Sequence, residues 1–133
     1  MSIKKKTYRS GPYQEYFAQG TQVGNVLYLS GQIGIDQDGK TPTGIADQTK
    51  VAYMNVKDVL SQFGADMGNI VDETFFVSDM DEFFGNIEDV YGAREVAYGG
   101  NPEVCQTLVQ VVALAQPELK IEIKCIAHLY SGQ

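Results

Sequence analysis

Six residues at the ends of β-like runs hold most of the chemistry this chain can offer: Tyr13, Tyr16, Phe17, Gly31, Gln106 and Glu122. Glu122 stands in a run from Lys120 to Tyr130 in which Ile121, Ile123, Cys125, Ala127 and Leu129 share one face. Glu122 shares the other with Lys124, Ile126 and His128. A carboxylate among apolar neighbours has its pKa raised by desolvation and can hold or deliver a proton. The same position also reads as a structural acid with its hydrogen bonds satisfied. Gln106 lies in the preceding run, Cys105 to Ala115, on the face of Leu108, Gln110 and Val112. If that face is buried, the amide must find a partner or bind a ligand. Gly31 falls inside a third run, Val26 to Ile35, where it either bends the strand or admits a close neighbour.

Other chemistries find little support. The single histidine, His128, has no serine or cysteine elbow to activate and no companions at ligand spacing, so it reads as structural or superficial and no metal site is expected. The glycines punctuate strands and never lead into a helix with a lysine, which excludes a phosphate-binding loop. Cys105 and Cys125 read as small core residues; a disulfide between neighbouring strands stays open, though the start of the chain has no secretory signal and points to reducing, cytoplasmic surroundings. Ten basic residues against seventeen acidic ones give a net charge of −7, which repels a phosphate backbone and makes nucleic acid an unfavoured partner. The basic run Lys4 to Lys6 reads as a solvated arm.

The elements that must position these residues follow from periodicity. Thr7 to Ser10 and Phe17 to Val23 read as strands either side of the Gly11-Pro12-Tyr13 turn. Ala52, Val56, Val59, Leu60 and Phe63 form the stripe of an amphipathic helix within Ile45 to Phe63, ended by Gly64. Ile70 to Val77 is again β-like. Ser78-Asp79 then caps a second helix with the stripe Met80, Phe83, Phe84, Ile87 and Tyr91. The runs from Cys105 and Lys120, joined through Gln116-Pro117-Glu118-Leu119, read as a closing hairpin. The 133 residues read as one domain, 1–133, with no apolar run long enough to cross a membrane. The expectation is an α+β layer of about six strands with two helices on one face. Tyr28, Gln106, Leu108, Gln110, Val112 and Ile126 look too apolar together to face water, so the second face is expected to bury against other subunits.

Gly11-Pro12-Tyr13, the block Val23 to Gly34 containing Ser30-Gly31-Gln32-Ile33, Asn55 to Leu60, Phe76 to Met80 and Lys120 to Lys124 occur in order along the chain. From about Gly11 to Leu129 it resembles the Rid family of reactive enamine/imine deaminases, also called the YjgF family and often labelled L-PSP endoribonucleases. The resemblance implies a chorismate mutase-like fold with a mixed sheet, a homotrimer whose sheets form an inner barrel, and cofactor-free small-molecule clefts between subunits. In deaminating members an arginine on the penultimate strand holds the substrate carboxylate and a last-strand glutamate positions the attacking water. Carried over, Tyr13 matches the pocket tyrosine, Gly31 the pocket glycine, Phe83 a helix-borne wall residue and Glu122 the acid. Asn86 lies one position from a pocket asparagine. The pattern puts Gln106 at the arginine position, and the chain has only Arg9 and Arg94 to replace it. A charge-assisted bidentate pair is worth about 1.5 to 3 kcal/mol, which a neutral amide does not match.

The resemblance therefore implies a deaminase-like hydrolase of small imines, enamines or related carbonyl compounds, with non-standard specificity because Gln106 replaces arginine. A non-catalytic trimeric ligand-binding or chaperone-like protein is the alternative. RNA cleavage ranks last, given the acidic surface.

Overall fold

The computed structural model describes residues 2–130. Four short strands open the chain: β1 (Lys6–Tyr8), β2 (Gly20–Val23), β3 (Val26–Leu29) and β4 (Gln32–Ile33). Helix α1 (Ile45–Ser61) leads through a 3-10 turn at Met67–Asn69 to the long strand β5 (Ile70–Val77). Helices α2 (Met80–Gly85) and α3 (Ile87–Tyr98) then carry the chain to β6 (Cys105–Gln110) and, last, β7 (Ile121–His128). All seven strands form one sheet in the order β1-β2-β3-β7-β5-β6, with β4 also on β7. Among the described residues this is a mixed α+β sheet of seven strands and three α-helices, one of each more than the periodicity predicts.

The predicted closing hairpin does not exist. Strand β5 lies between its two members, antiparallel to β7 (Phe76 opposite Glu122) and parallel to β6 (Phe76 opposite Val109). The connection from Val111 to Lys120 passes the end of β5, where the Val111 amide donates to Val77 O and the Ser78 amide to Lys120 O. A parallel pair requires a long crossover, and α2 and α3 supply it. Neighbouring runs pair often enough that a hairpin is the natural first reading, yet Phe75 and Val77, both fully buried, draw β5 to the centre.

Helix α1 follows its stripe: Ile45, Gln48, Thr49, Ala52, Tyr53, Val56, Val59 and Leu60 are buried at helical spacing. It closes where Gly64, at φ +70°, donates to Ser61 O and Ala65 to Leu60 O, a left-handed end that glycine adopts without strain. The second predicted helix is two. Asn86 breaks it at φ −125°, its Nδ2 turning back to Glu82 O at 2.8 Å, the side-chain competition that makes asparagine a poor helix interior. The run from Val26 to Ile35 likewise divides at Ser30-Gly31, where the Ser30 hydroxyl and amide donate to Ala18 O and Gln19 O.

The helices and alternate strand residues share one core, with Leu27, Leu29, Phe75, Ile121, Ile123, Cys125 and Ala127 from the sheet against Tyr53, Val56, Leu60, Phe83 and Val90. Gln106, Leu108 and Gln110 belong to this helical side, in register with Glu73, Phe75 and Val77. Their assignment to the second face is thus corrected. Tyr28 and Ile126 do lie on that face, beside Thr74, Phe76, Thr107 and Val109, whereas Val112 is fully exposed in the β6–β7 connection. Cys105 is exposed and Cys125 buried, with β5 between their strands; Cys105 is no core residue. No helix among the described residues is long and apolar enough to cross a membrane.

Candidate functional site

Glu122 is set by strand alternation on the second face of β7, opposite Ile33 of β4 and Phe76 of β5. A Cβ built on Gly31 would lie 2.1 Å from Glu122 Oε2, so the carboxylate occupies space that every other residue type would fill. No described residue donates a hydrogen bond to it. Burial raises its pKa above the ordinary 4.5, and the positive charge of Lys124 offsets part of that rise. The result is a half-buried carboxylate, held by the backbone and free to accept from a ligand or water.

Around it opens a cleft of about 300 Å³. One wall is the turn after β1: Gln14 donates to Gly11 O, Tyr16 and Phe17 to Tyr13 O, and Arg9 Nη1 to Gln14 O at 2.8 Å. The turn stacks Tyr13 on Phe17, ring centroids 5.8 Å apart and 15° from parallel, and both rings line the cleft. Gly31, Gln32 and Ile33 make the floor with Glu122, while Asp36, Asn55 and Gln116 come from the far side. Gln32 Nε2 donates to Gln19 Oε1 and Ser30 O, and Asn55 Nδ2 to Ile33 O and Ile35 O, which fixes the strand break that exposes Gly31.

Tyr13, Gly31 and Glu122 therefore meet at one cleft of this chain. Gln106 and Phe83 do not. Phe83 is fully buried in the core, edge-on to Phe75 and Tyr91. Gln106 Nε2 donates to Glu73 Oε2 at 2.8 Å and its Oε1 accepts from the Tyr91 hydroxyl, all on the helical side of the sheet. Within the chain Gln106 and Glu122 lie on opposite faces of the sheet, so a single copy does not bring them together. Asn86 sits on the helical surface between α2 and α3.

The partners of Gln106 form a buried polar cluster that sequence reasoning missed. Glu73, 1% exposed, accepts from Tyr53 and Tyr98 hydroxyls at 2.8 and 2.9 Å through Oε1, and from Arg94 Nε and Gln106 through Oε2. Burial and the Glu73 charge push both tyrosine pKa values far up, and the hydrogen bond and charge of Glu73 outweigh burial to raise that of Arg94. The signal was present: Glu73 shares its strand parity with Phe75 and Val77, and Arg94 stands between Tyr91 and Tyr98 at helical spacing. The cleft residues Gln19, Gln32, Asp36 and Asn55 were missed as well. Only Asn55, at the edge of the α1 stripe, carried a periodic hint.

The model of the endoribonuclease L-PSP family matches residues 8–129. The chain belongs to that family, the Rid family of its sequence resemblance. The chain is 31% identical over 129 residues to 2-iminobutanoate/2-iminopropanoate deaminase of Mus musculus, covering 96% of this chain and 88% of the relative. It is 35% identical over 119 residues to the mitochondrial protein mmf1 of Schizosaccharomyces pombe, covering 89% and 68%. Among solved structures, Escherichia coli TdcF with bound serine superposes with a TM-score of 0.76 at 29% identity, covering 93% of each chain. Rv2704 of Mycobacterium tuberculosis, a YjgF/YER057c/UK114 family member, gives a TM-score of 0.79 over 95% of this chain and 100% of its own, at 23% identity, a likeness of fold.

Proposed function

We propose that this family member hydrolyses a small imine or enamine at the Glu122 cleft, releasing ammonia and a carbonyl compound. The observation that carries the reading is the unpaired, half-buried carboxylate of Glu122 against Gly31, its pKa raised by burial. Relatives named as imine deaminases supply the reaction class. The ionised carboxylate takes a proton from water as the water oxygen bonds to the carbon of the protonated imine and the C=N π pair moves to nitrogen, giving a neutral carbinolamine. Glu122 then gives that proton to the amine nitrogen, the carbon–nitrogen bond breaks as the hydroxyl oxygen closes the carbonyl, and the hydroxyl proton leaves with the ammonia as ammonium. A group whose pKa lies nearer neutrality serves both steps better than an ordinary surface carboxylate.

The second sheet face supports a further part of the proposal. Tyr28 is 45% exposed there, flanked by Phe76, Val109 and Ile126. We propose that copies of this chain pack these faces together as a trimer, and that a neighbour completes the open side of the cleft.

A non-catalytic ligand-binding role is the second reading, favoured by one observation: neither lysine nor arginine lines the cleft to hold a substrate carboxylate. A panel of imines generated in situ from amino acids and from simple amines separates the two. Ammonia release accelerated by the wild type and reduced about 10²- to 10⁴-fold in Glu122→Ala supports the hydrolase. A full panel without acceleration, with a small molecule retained through purification, supports the binding protein.

A further inference from the structure

We infer that the Glu122 cleft is built for a small organic cation or neutral imine that carries no carboxylate, an amine-derived iminium in place of a 2-imino acid. The inference rests on the proposed function for the reaction, and on the cleft's polar inventory for the ligand.

That inventory is one-sided. Two of the cleft's amides have their donors engaged elsewhere: both Nε2 protons of Gln32 go to Gln19 Oε1 and Ser30 O, and both Nδ2 protons of Asn55 to Ile33 O and Ile35 O. Since Ser30, Ile33 and Ile35 contribute backbone carbonyls, neither amide can be turned the other way. Each has only a carbonyl oxygen left to offer. Glu122 and Asp36 add two carboxylates, Asp36 with Oδ1 held by the Asp38 and Lys40 amides at 2.9 Å. The side-chain donors left among the lining residues are neutral: Ser10, Tyr13, Gln19 and Gln116. Tyr13 and Phe17, stacked on each other, line the cleft, and aromatic rings favour ammonium and iminium groups over carboxylates.

The lining that this chain gives the cleft holds no lysine or arginine to reverse it. The chain has two arginines, so every copy in a homo-oligomer brings the same two. Arg94 is bound to buried Glu73 and lies over Tyr91 and Tyr98, 5.8 and 5.3 Å from the ring centroids. Arg9 is turned to Gln14 O. Of the lysines flanking Glu122, Lys124 donates to Leu29 O and Lys120 pairs with Glu82 at 3.1 Å. A substrate carboxylate would enter a cleft of acceptors beside Glu122, where like charges repel.

Binding of butylammonium, butanoate and 2-aminobutanoate to the full chain, followed by NMR titration at one ionic strength, tests the ligand class without requiring turnover. Butylammonium is expected to bind about tenfold or more tighter than butanoate, and to lose about tenfold in Glu122→Gln. Gln116→Arg, which adds a cation at the cleft wall, is expected to reverse the order. Butanoate or 2-aminobutanoate binding as tightly as butylammonium, or butylammonium failing to bind, overturns the inference. In the imine panel, acceleration of butylamine-derived imine over 2-iminobutanoate supports it, and the opposite preference contradicts it. If no imine is accelerated but butylammonium still binds selectively, the hydrolase reading fails and the ligand class stands.

Discussion

Glu122, the proposed water-activating acid, carries a stability cost. Burial lifts its folded pKa above the unfolded value, so the folded chain holds that proton more tightly than the unfolded one. Its contribution to stability is therefore fully present below the ordinary 4.5 and is lost as pH rises through the raised folded value. Glu122→Gln, which never ionises, is expected to have a higher Tm than the wild type at pH 7, with the gap closing as pH falls toward 4.5; thermal melts across that range measure it. Activity should move the other way, because the water-activating form is the ionised one: the acid limb of the kcat/KM profile is expected above the ordinary 4.5. At Gly31 a methyl group meets the carboxylate at 2.1 Å, so Gly31→Ala is expected to push Glu122 aside and cost about 10²-fold in kcat, read by steady-state kinetics. Glu122 was legible because strand alternation puts it opposite Ile121 and Ile123. The reach of Gly31 to it was not, since that contact joins residues ninety positions apart through the β4–β7 pairing.

At the scale of elements, alternation and helical stripes found α1 and β5 with nearly their observed ends, but not which strands pair. The hairpin reading made β6 and β7 neighbours, and the family resemblance put Gln106 and Glu122 in one pocket between subunits. The intervening β5 and the parallel register set Gln106 beside Glu73 on the helical face. Pairing partners are decided by the whole core, which a local period does not encode. Gln106 is thus expected to act on stability. Gln106→Leu leaves the Tyr91 hydroxyl and one Glu73 oxygen short of a partner and should cost about 1–3 kcal/mol in denaturant unfolding. Glu73→Ala strands Arg94 and should cost about 3–5 kcal/mol. Gln106→Arg places a second guanidinium beside that of Arg94. It is expected to lower stability without creating activity on 2-imino acids, measured by the same unfolding and ammonia-release assays.

For the whole molecule, the sheet is covered by helices on one side, and its second face carries Tyr28, Phe76, Val109 and Ile126 among polar residues that include Lys124, Thr74 and Thr107. A charge on that face should oppose assembly: Tyr28→Asp is expected to shift sedimentation from trimer to monomer and, if a neighbour completes the cleft, to lower activity with it. An unchanged sedimentation coefficient would remove Tyr28 from any interface. The central claim, that the Glu122 carboxylate hydrolyses imines, is met most directly by ammonia release from the mixed imine panel with wild type and Glu122→Gln side by side. The prediction is acceleration by the wild type that falls about 10²-fold or more in a variant with equal or higher Tm. Equal acceleration by the two proteins would contradict it.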